Sequence, residues 1–501
     1  MSKTPDTPEP AQRPLGERVA RGAAWIILAR FVIRTLGLIN TLILARLLVP
    51  ADFGIVAVGL ALMQLLQNVS DIGVSQTVVK FRKAGRVTFD TLFTMSAIRG
   101  AIVCALLLIA APMAGHFYDD PRAVNVFLLV SIVPVFHALI NPRFFEFERD
   151  LDFSKEFMTT ALNKLLGIVF SITIAVIFQS YLAILAGLIV SAFSQTVLSY
   201  IVRPYLPRFT LKAFKELFGF TGWLTGVSFM AALNNKLDML FLTKLIGPTN
   251  AGAYYLGDSI AALPSQEVAT PIARAIYPGL SELQSKPENM REAYLRGVEV
   301  LGLIAMPAAF GSSFVAADLV AILLGDQWEL AVPMVKYFTP VAGLMVLFSA
   351  TQGYAMACGR TQLIFLRELI YFIIRMPIFI WASAVYGLMG AVLATAAGGV
   401  LHMLLNLSLF SRISGRPFYE LIFRVRRSFA GVAVMALYFV FIRPEIDAIE
   451  MLPLLPRFVC DVAVGAGLYM IGLVGFWFAE GRPAGVERSL WRQISSRFIA
   501  Q

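Results

Sequence analysis

Leu47-Leu48-Val49-Pro50-Ala51-Asp52-Phe53-Gly54 returns 198 residues later as Leu245-Ile246-Gly247-Pro248-Thr249-Asn250-Ala251-Gly252. Leu, a branched apolar residue, Pro, Asp or Asn, and Gly keep their spacing. Both copies end one long apolar stretch and begin the next. Pro and Gly are expected to stop the first helix of each pair, and Asp52 or Asn250 to cap the second. The flanking apolar stretches, each about 20 residues, repeat as well. The echo therefore reads as a duplicated bundle of membrane helices, and that points to a transporter.

The composition agrees. Of 501 residues, 58% are hydrophobic and 15% charged, with a mean hydropathy of +0.74; soluble domains average roughly 45–50% and about 25%. Each apolar stretch is long enough to cross about 30 Å of hydrocarbon, so the chain reads as one polytopic unit rather than three or four soluble domains. Cys104, Cys358 and Cys460 fall inside apolar segments, which argues against disulfides and thiol metal sites. His116, His137 and His402 have no ligand spacing, and no metal or cofactor is expected. A net charge of +10 fits basic loops facing anionic lipid better than nucleic acid. Residues 1–22 are polar and Pro-rich, and they read as a disordered cytoplasmic tail rather than a removed signal peptide.

Apolar runs place spans at about 23–48, 53–79, 90–114, 123–141, 157–178, 181–202, 217–243, 251–275, 295–317, 331–357, 363–383, 387–410, 427–442 and 457–479. With the first loop outside, every even-numbered loop is cytoplasmic. Those loops hold Lys80, Arg82, Lys83 and Arg86, then Arg203, Arg208, Lys212 and Lys215, then Arg412, Arg416, Arg424, Arg426 and Arg427. The positive-inside rule then makes both termini cytoplasmic. The loop 142–156 is the exception, since its acids outnumber its bases. Six spans separate the two Pro-Gly turns, so the repeat is parallel, with its axis along the membrane normal. The expected organisation is an N-lobe at 23–202, a connector at 203–216, a C-lobe at 217–410, and two further helices with a cytoplasmic tail in 411–501.

An ionisable group in hydrocarbon costs roughly 2.5–3.5 kcal/mol on insertion scales, and those present usually face a cavity or a partner. Arg30 and Arg34 share a face of the first span. Snorkelling to the interface suits Arg30 but not Arg34, about halfway across, so the pair is read as cavity-facing, with forks suited to phosphate. Asn234, Asn235, Lys236 and Asp238 form the densest polar cluster in any apolar segment; interhelical hydrogen bonding is the competing role. Pseudo-symmetry sets Asn40 at the place of Asp238, so the lobes present different chemistry at matched sites. Asp71, Asp258 and Glu267 are candidate ion-coupling acids beside Asp238, with structural ion pairing as the alternative for Asp71. Arg375 and Asp461 complete the intramembrane charges, while Arg99, Lys164, Arg274 and Arg367, near cytoplasmic ends, are expected to snorkel. Tyr254, Tyr255 and Trp223 suit an interfacial belt or, in a cavity, sugar faces. There is no Walker motif, no GxGxxG, no paired His and no large outer loop to carry catalytic groups, so an enzyme is not expected.

Ala45-Arg46-Leu47-Leu48-Val49-Pro50-Ala51-Asp52-Phe53-Gly54, with Trp25 before it, Asp71-Ile72-Gly73 after it and Glu148-Arg149-Asp150-Leu151-Asp152-Phe153 further on, resembles the polysaccharide transport family. That family comprises O-antigen and exopolysaccharide flippases of the multidrug/oligosaccharidyl-lipid/polysaccharide exporter superfamily. The resemblance runs from Trp25 to about Ala479, and the second turn is its looser part. It implies two six-helix lobes around a central cavity, often with two extra helices, in the bacterial inner membrane. It also implies cation-coupled transfer of undecaprenyl-pyrophosphate-linked oligosaccharide to the outer leaflet, working beside polymerase and export machinery. Arg30, Arg34 and Lys236 would then meet pyrophosphate, and Asn234, Asn235 and Tyr254 the glycan. A multidrug antiporter of the same superfamily is the first alternative, disfavoured by the two arginines. A membrane-embedded polymerase is the second, disfavoured by short outer loops. A scaffold is the third, disfavoured by the buried charges.

Overall fold

The computed structural model describes residues 15–70, 74, 77, 78, 85–150, 153–214, 222–282 and 286–481. These are almost entirely helical, with no strand among the described residues. The first half runs α1 (Leu15–Leu47), α2 (Pro50–Val69), α3 (Arg86–Tyr118), α4 (Arg122–Val130), α5 (Ile132–Ala138), α6 (Glu146–Arg149), α7 (Phe153–Phe178) and α8 (Leu182–Val202). The second runs α9 (Gly222–Glu282), α10 (Pro287–Phe314), α11 (Ala316–Leu323), α12 (Val332–Leu347), α13 (Ala350–Ala357), α14 (Thr361–Ser414), α15 (Tyr419–Arg424), α16 (Arg426–Leu437), α17 (Asp447–Glu450) and α18 (Leu454–Ala479).

Among the described residues nine helices are long and apolar enough to cross a membrane, and the bent run Arg122–Ala138 with Pro142–Arg149 makes a tenth. The long α9 and α14 are each broken by a glycine with left-handed φ, Gly247 at 80° and Gly387 at 60°, and so are two helices end to end. Helix covers most of the described part of the stretches read as spans, with breaks among them at 131, 139–141, 315 and 348–349. Only 22% of the apolar stretch in each of α7 and α18 is buried, so most of their apolar surface needs lipid as its solvent. Helices meet that demand because they satisfy their backbone polar groups internally.

The chain packs as two compact units: residues to Leu47, Ser70–Gly115 and Val124–Gly222 form one, and Leu48–Val69, His116–Ala123 and the chain from Trp223 form the other. Helix α2 thus packs with the second half of the sequence. In the first unit, the acidic loop 142–156 explains itself. The carboxylate of Glu146, 3% exposed, accepts hydrogen bonds from Arg143 and Arg149 and pairs with Arg203. In the second, Tyr294 stacks on Phe410 at 5.3 Å in the main core. The appended α16 and α18 are clipped by Arg443 Nε donating to Asp461 at 2.8 Å and by Arg426 and Arg427 donating to Glu480. Asp461 is therefore half of an ion pair.

The two copies of the octapeptide cross inside the second unit, and their cap chemistry differs from expectation. The breaks fall at Leu48–Val49 and at Gly247, and Pro50 begins α2, where its missing N–H costs nothing. Asp52 lies in the first turn of α2 and its carboxylate pairs with Arg122 at 3.3 Å. Asn250 Nδ2 reaches back to Ile246 O at 2.9 Å, satisfying a carbonyl of the preceding helix end. Gly54 and Gly252 do not stop a helix; they are where the backbones touch. A Cβ on Gly54 would sit 1.9 Å from Pro248 O, and one on Gly252 1.8 Å from Pro50 O. The sequence repeat is expressed here as a reciprocal contact.

Candidate functional site

A cavity of about 250 Å³ opens within the second unit, lined by α2, α9, α12 and α14. Three i, i+4 pairs face into it: Asn234 with Asp238, Tyr254 with Asp258, and Tyr371 with Arg375. Asn235, Lys236, Tyr255, Gln64 and Thr395 add to its polar lining. The break at Gly247 folds α9 back so that both its halves contribute.

Arg375 and Asp238 dominate the wall, 7% and 8% exposed. The guanidinium of Arg375 donates to both carboxylate oxygens of Asp238, the Oδ1 bond being 3.1 Å, and also to Asn234 O at 3.1 Å. Its charge lies 5.5 Å from the Tyr371 ring centre and 5.6 Å from that of Phe379, within cation–π range. The stem rests against Gly398, where a Cβ would meet Arg375 Cδ at 2.8 Å. Arg375 Nε and Asn234 Oδ1 are buried without a hydrogen-bond partner.

Asn234 also joins this pair to a second cluster. Its Nδ2 donates to Glu368 Oε2 at 2.8 Å; Arg367 donates to Glu368 Oε1 and, at 2.6 Å, to Asn406 Oδ1. Arg367 is only 5% exposed, so it does not snorkel; a carboxylate and an amide within reach hold it in the interior. Tyr254 is buried too, its hydroxyl 2.8 Å from Thr395 Oγ1 and its ring edge-on to Phe379. That leaves Tyr255, half-buried, as the freer aromatic surface of the cavity.

Of the residues singled out from sequence, Asn234, Asn235, Lys236, Asp238, Tyr254, Tyr255, Asp258 and Arg375 come together here. Arg30 and Arg34 lie on α1 in the first unit with exposed side chains and do not line this cavity. Asp71 and the side chains of Glu267, Trp223 and Arg274 lie outside the described residues. Gln64, Glu368, Tyr371 and Thr395 were not anticipated. Glu368 had a readable signal, an acid beside Arg367 in an apolar run, whereas Gln64 and Thr395 are uncharged and have none. Chemically, the cavity offers two cations and two carboxylates among amides and phenols. It can hold an anion, exchange ion-pair partners and bond hydroxyls. No cluster of metal-ligating groups occurs among the described residues.

A family described as "Polysaccharide biosynthesis protein" matches residues 43–333. The lipopolysaccharide biosynthesis protein WzxC of Escherichia coli (strain K12) is 24% identical over 404 residues, covering 78% of this chain and 80% of that protein. The succinoglycan biosynthesis transport protein ExoT of Rhizobium meliloti (strain 1021) is 24% identical over 350 residues, 69% of this chain and 71% of its own. Among solved structures, the lipid II flippase MurJ in an inward closed conformation superposes with a TM-score of 0.67 at 16% identity, over 91% of this chain and 99% of its own. The fold is thus one shared with a membrane transporter.

Proposed function

Because the chain belongs to the polysaccharide biosynthesis protein family, we propose that it is a flippase carrying a polyprenyl-pyrophosphate-linked oligosaccharide across the bacterial inner membrane. The observation that carries this reading is the buried cavity in which Lys236 and Arg375 stand beside carboxylates and amides. An anionic pyrophosphate needs cations inside the membrane, and a glycan needs amides and rings. The cavity's guanidinium and ammonium weigh against a cation-selective drug antiporter. In this reading fourteen spans form two six-helix lobes and an appended pair, both termini are cytoplasmic, and Arg30 and Arg34 on α1 supply further positive charge. The prenyl tail stays in lipid while one lobe rocks against the other. Polymerase and export machinery would take the product.

Coupling is assigned to Asp238. Ionised, it pairs with Arg375; protonated, it releases the guanidinium to the cargo's phosphate. Asp258 lines the same cavity as a second acid, and Glu267 follows on α9. The decisive experiment deletes the gene and locates the lipid-linked oligosaccharide. Accumulation in the inner leaflet, relieved by the wild-type gene, is the expected result. Unchanged distribution between leaflets would exclude the reading.

A further inference from the structure

The segment 203–214 leaves α8 at its end and is not helical until its last residue. Its hydrogen-bonding groups and its exposed side chains are used differently. One set, backbone groups and the Tyr205 hydroxyl, is spent on the first turns of α3. Tyr205 hydroxyl donates to Asp90 Oδ1 at 2.7 Å, Arg208 N to the same oxygen at 2.9 Å, and Thr210 N to Thr94 Oγ1 at 2.9 Å. Arg86 Nη2 donates to Leu206 O at 3.4 Å. Asp90 and Thr94 are themselves buried. The other set points outward and is apolar or basic: Leu206 is 82% exposed, Phe209 75% and Leu211 48%, interleaved with exposed Arg208 and Lys212.

A loop in water would turn its apolar residues inward and let solvent take its backbone donors. Here fixed side chains of α3 take several of them, the arrangement required where water is scarce. Aromatic and aliphatic groups mixed with Arg and Lys suit the boundary between headgroups and acyl chains, and the bases complement anionic lipid. The segment also starts where the span 182–202 ends, at interfacial depth. We infer that residues 203–214 form a strap lying in an anionic headgroup layer, with Leu206, Phe209 and Leu211 in lipid and Arg208 and Lys212 on lipid phosphates. The inference rests on the chain spanning a membrane and not on the identity of its cargo.

The test uses the purified full chain with Cys104, Cys358 and Cys460 changed to Ser. A nitroxide is attached through Leu206→Cys, Phe209→Cys or, as a control, Asp326→Cys. Each is reconstituted in phosphatidylcholine vesicles with and without phosphatidylglycerol, and accessibility to oxygen and to a water-soluble nickel chelate is read by power saturation. The oxygen-to-nickel ratio should be several-fold higher at 206 and 209 than at 326. Arg208→Glu with Lys212→Glu should lower the ratio at 209 when phosphatidylglycerol is present and leave it unchanged when it is absent. Nickel-accessible labels at 206 and 209 in both lipids would overturn the strap and leave a water-facing or protein-docking surface. An unchanged ratio in the charge-reversed chain would overturn the anionic-lipid contact. Neither result depends on transport, so failure of the flippase reading would leave this outcome distinct.

Discussion

At the scale of single residues the cavity turns on one buried ion pair. Asp238 accepts both terminal nitrogens of Arg375, and a buried pair of this kind is conspicuous less for its net stability than for the cost of breaking it. Removing one partner typically costs about 3–5 kcal/mol, whereas replacing both with apolar groups of similar volume is often neutral. Arg375→Met alone should therefore lower protein abundance and the melting temperature in detergent. Arg375→Met with Asp238→Leu should recover most of the melting temperature and none of the export; recovered export would show the pair to be structural. Asp238→Asn separates titration from shape, since an amide keeps an acceptor for Arg375. Insertion into the membrane with a lowered melting temperature, milder than that of Arg375→Met, and lost gradient-driven export in vesicles is expected. If that variant exports normally under a gradient, the coupling role passes to Asp258 or Glu267.

At the scale of helices, two contacts set how elements are held. The crossing at Gly54 and Gly252 leaves no room for a methyl group, because the obstacle in each case is a backbone oxygen at under 2 Å. Overpacking typically costs about 1–3 kcal/mol, and Gly252→Ala should fall at or above the top of that range. Gly475, with open space around its Cβ position, is the matched control. Equal melting temperatures for Gly252→Ala and Gly475→Ala would mean that the crossing is not tight. The clasp on the appended pair has a pH signature. Burial pushes Glu480 up, but the hydrogen bonds from Arg427 and Arg426 outweigh it and hold its carboxyl below the usual 4.5. A carboxyl depressed in the folded state stabilises above its unfolded value, and that contribution fades as pH falls through its folded one. Acidification below about pH 4.5 should therefore lower the wild-type melting temperature more steeply than that of Glu480→Gln, which has no proton to gain.

At the scale of the whole chain, what sequence made legible was whatever the bilayer enforces. Long apolar runs must be helices, so helix covers most of the described part of the expected spans, and a twice-used turn at 198 residues' offset marks where the backbones cross. Polar groups in apolar runs must meet one another, which is why Asn234, Lys236, Asp238 and Asp258 share a cavity. Partner choice was not legible. Nothing in one strand of sequence says that Asp238 meets Arg375, 137 residues away, that Arg367 turns inward to Glu368, or that α2 packs with the second half of the chain. Those outcomes are set by helix rotation and by which surfaces fit, and a one-dimensional pattern does not encode either. Orientation is a property of the whole molecule, and the loop charges carry an expectation for it. Asp326 sits between the ninth and tenth expected spans in an acidic turn with Asp318 nearby in α11, whereas Arg416 sits between the twelfth and thirteenth among Arg412, Arg424, Arg426 and Arg427. Both positions are exposed, so a cysteine at either is reachable from its own side. The positive-inside rule puts 416 in the cytoplasm, and three spans between the two sites put 326 on the opposite face. In intact cells lacking the native cysteines, an impermeant maleimide should label Asp326→Cys directly and Arg416→Cys only after permeabilisation. Labelling of both from outside would break the count of spans between them, and the reverse pattern would invert the protein while leaving that count intact.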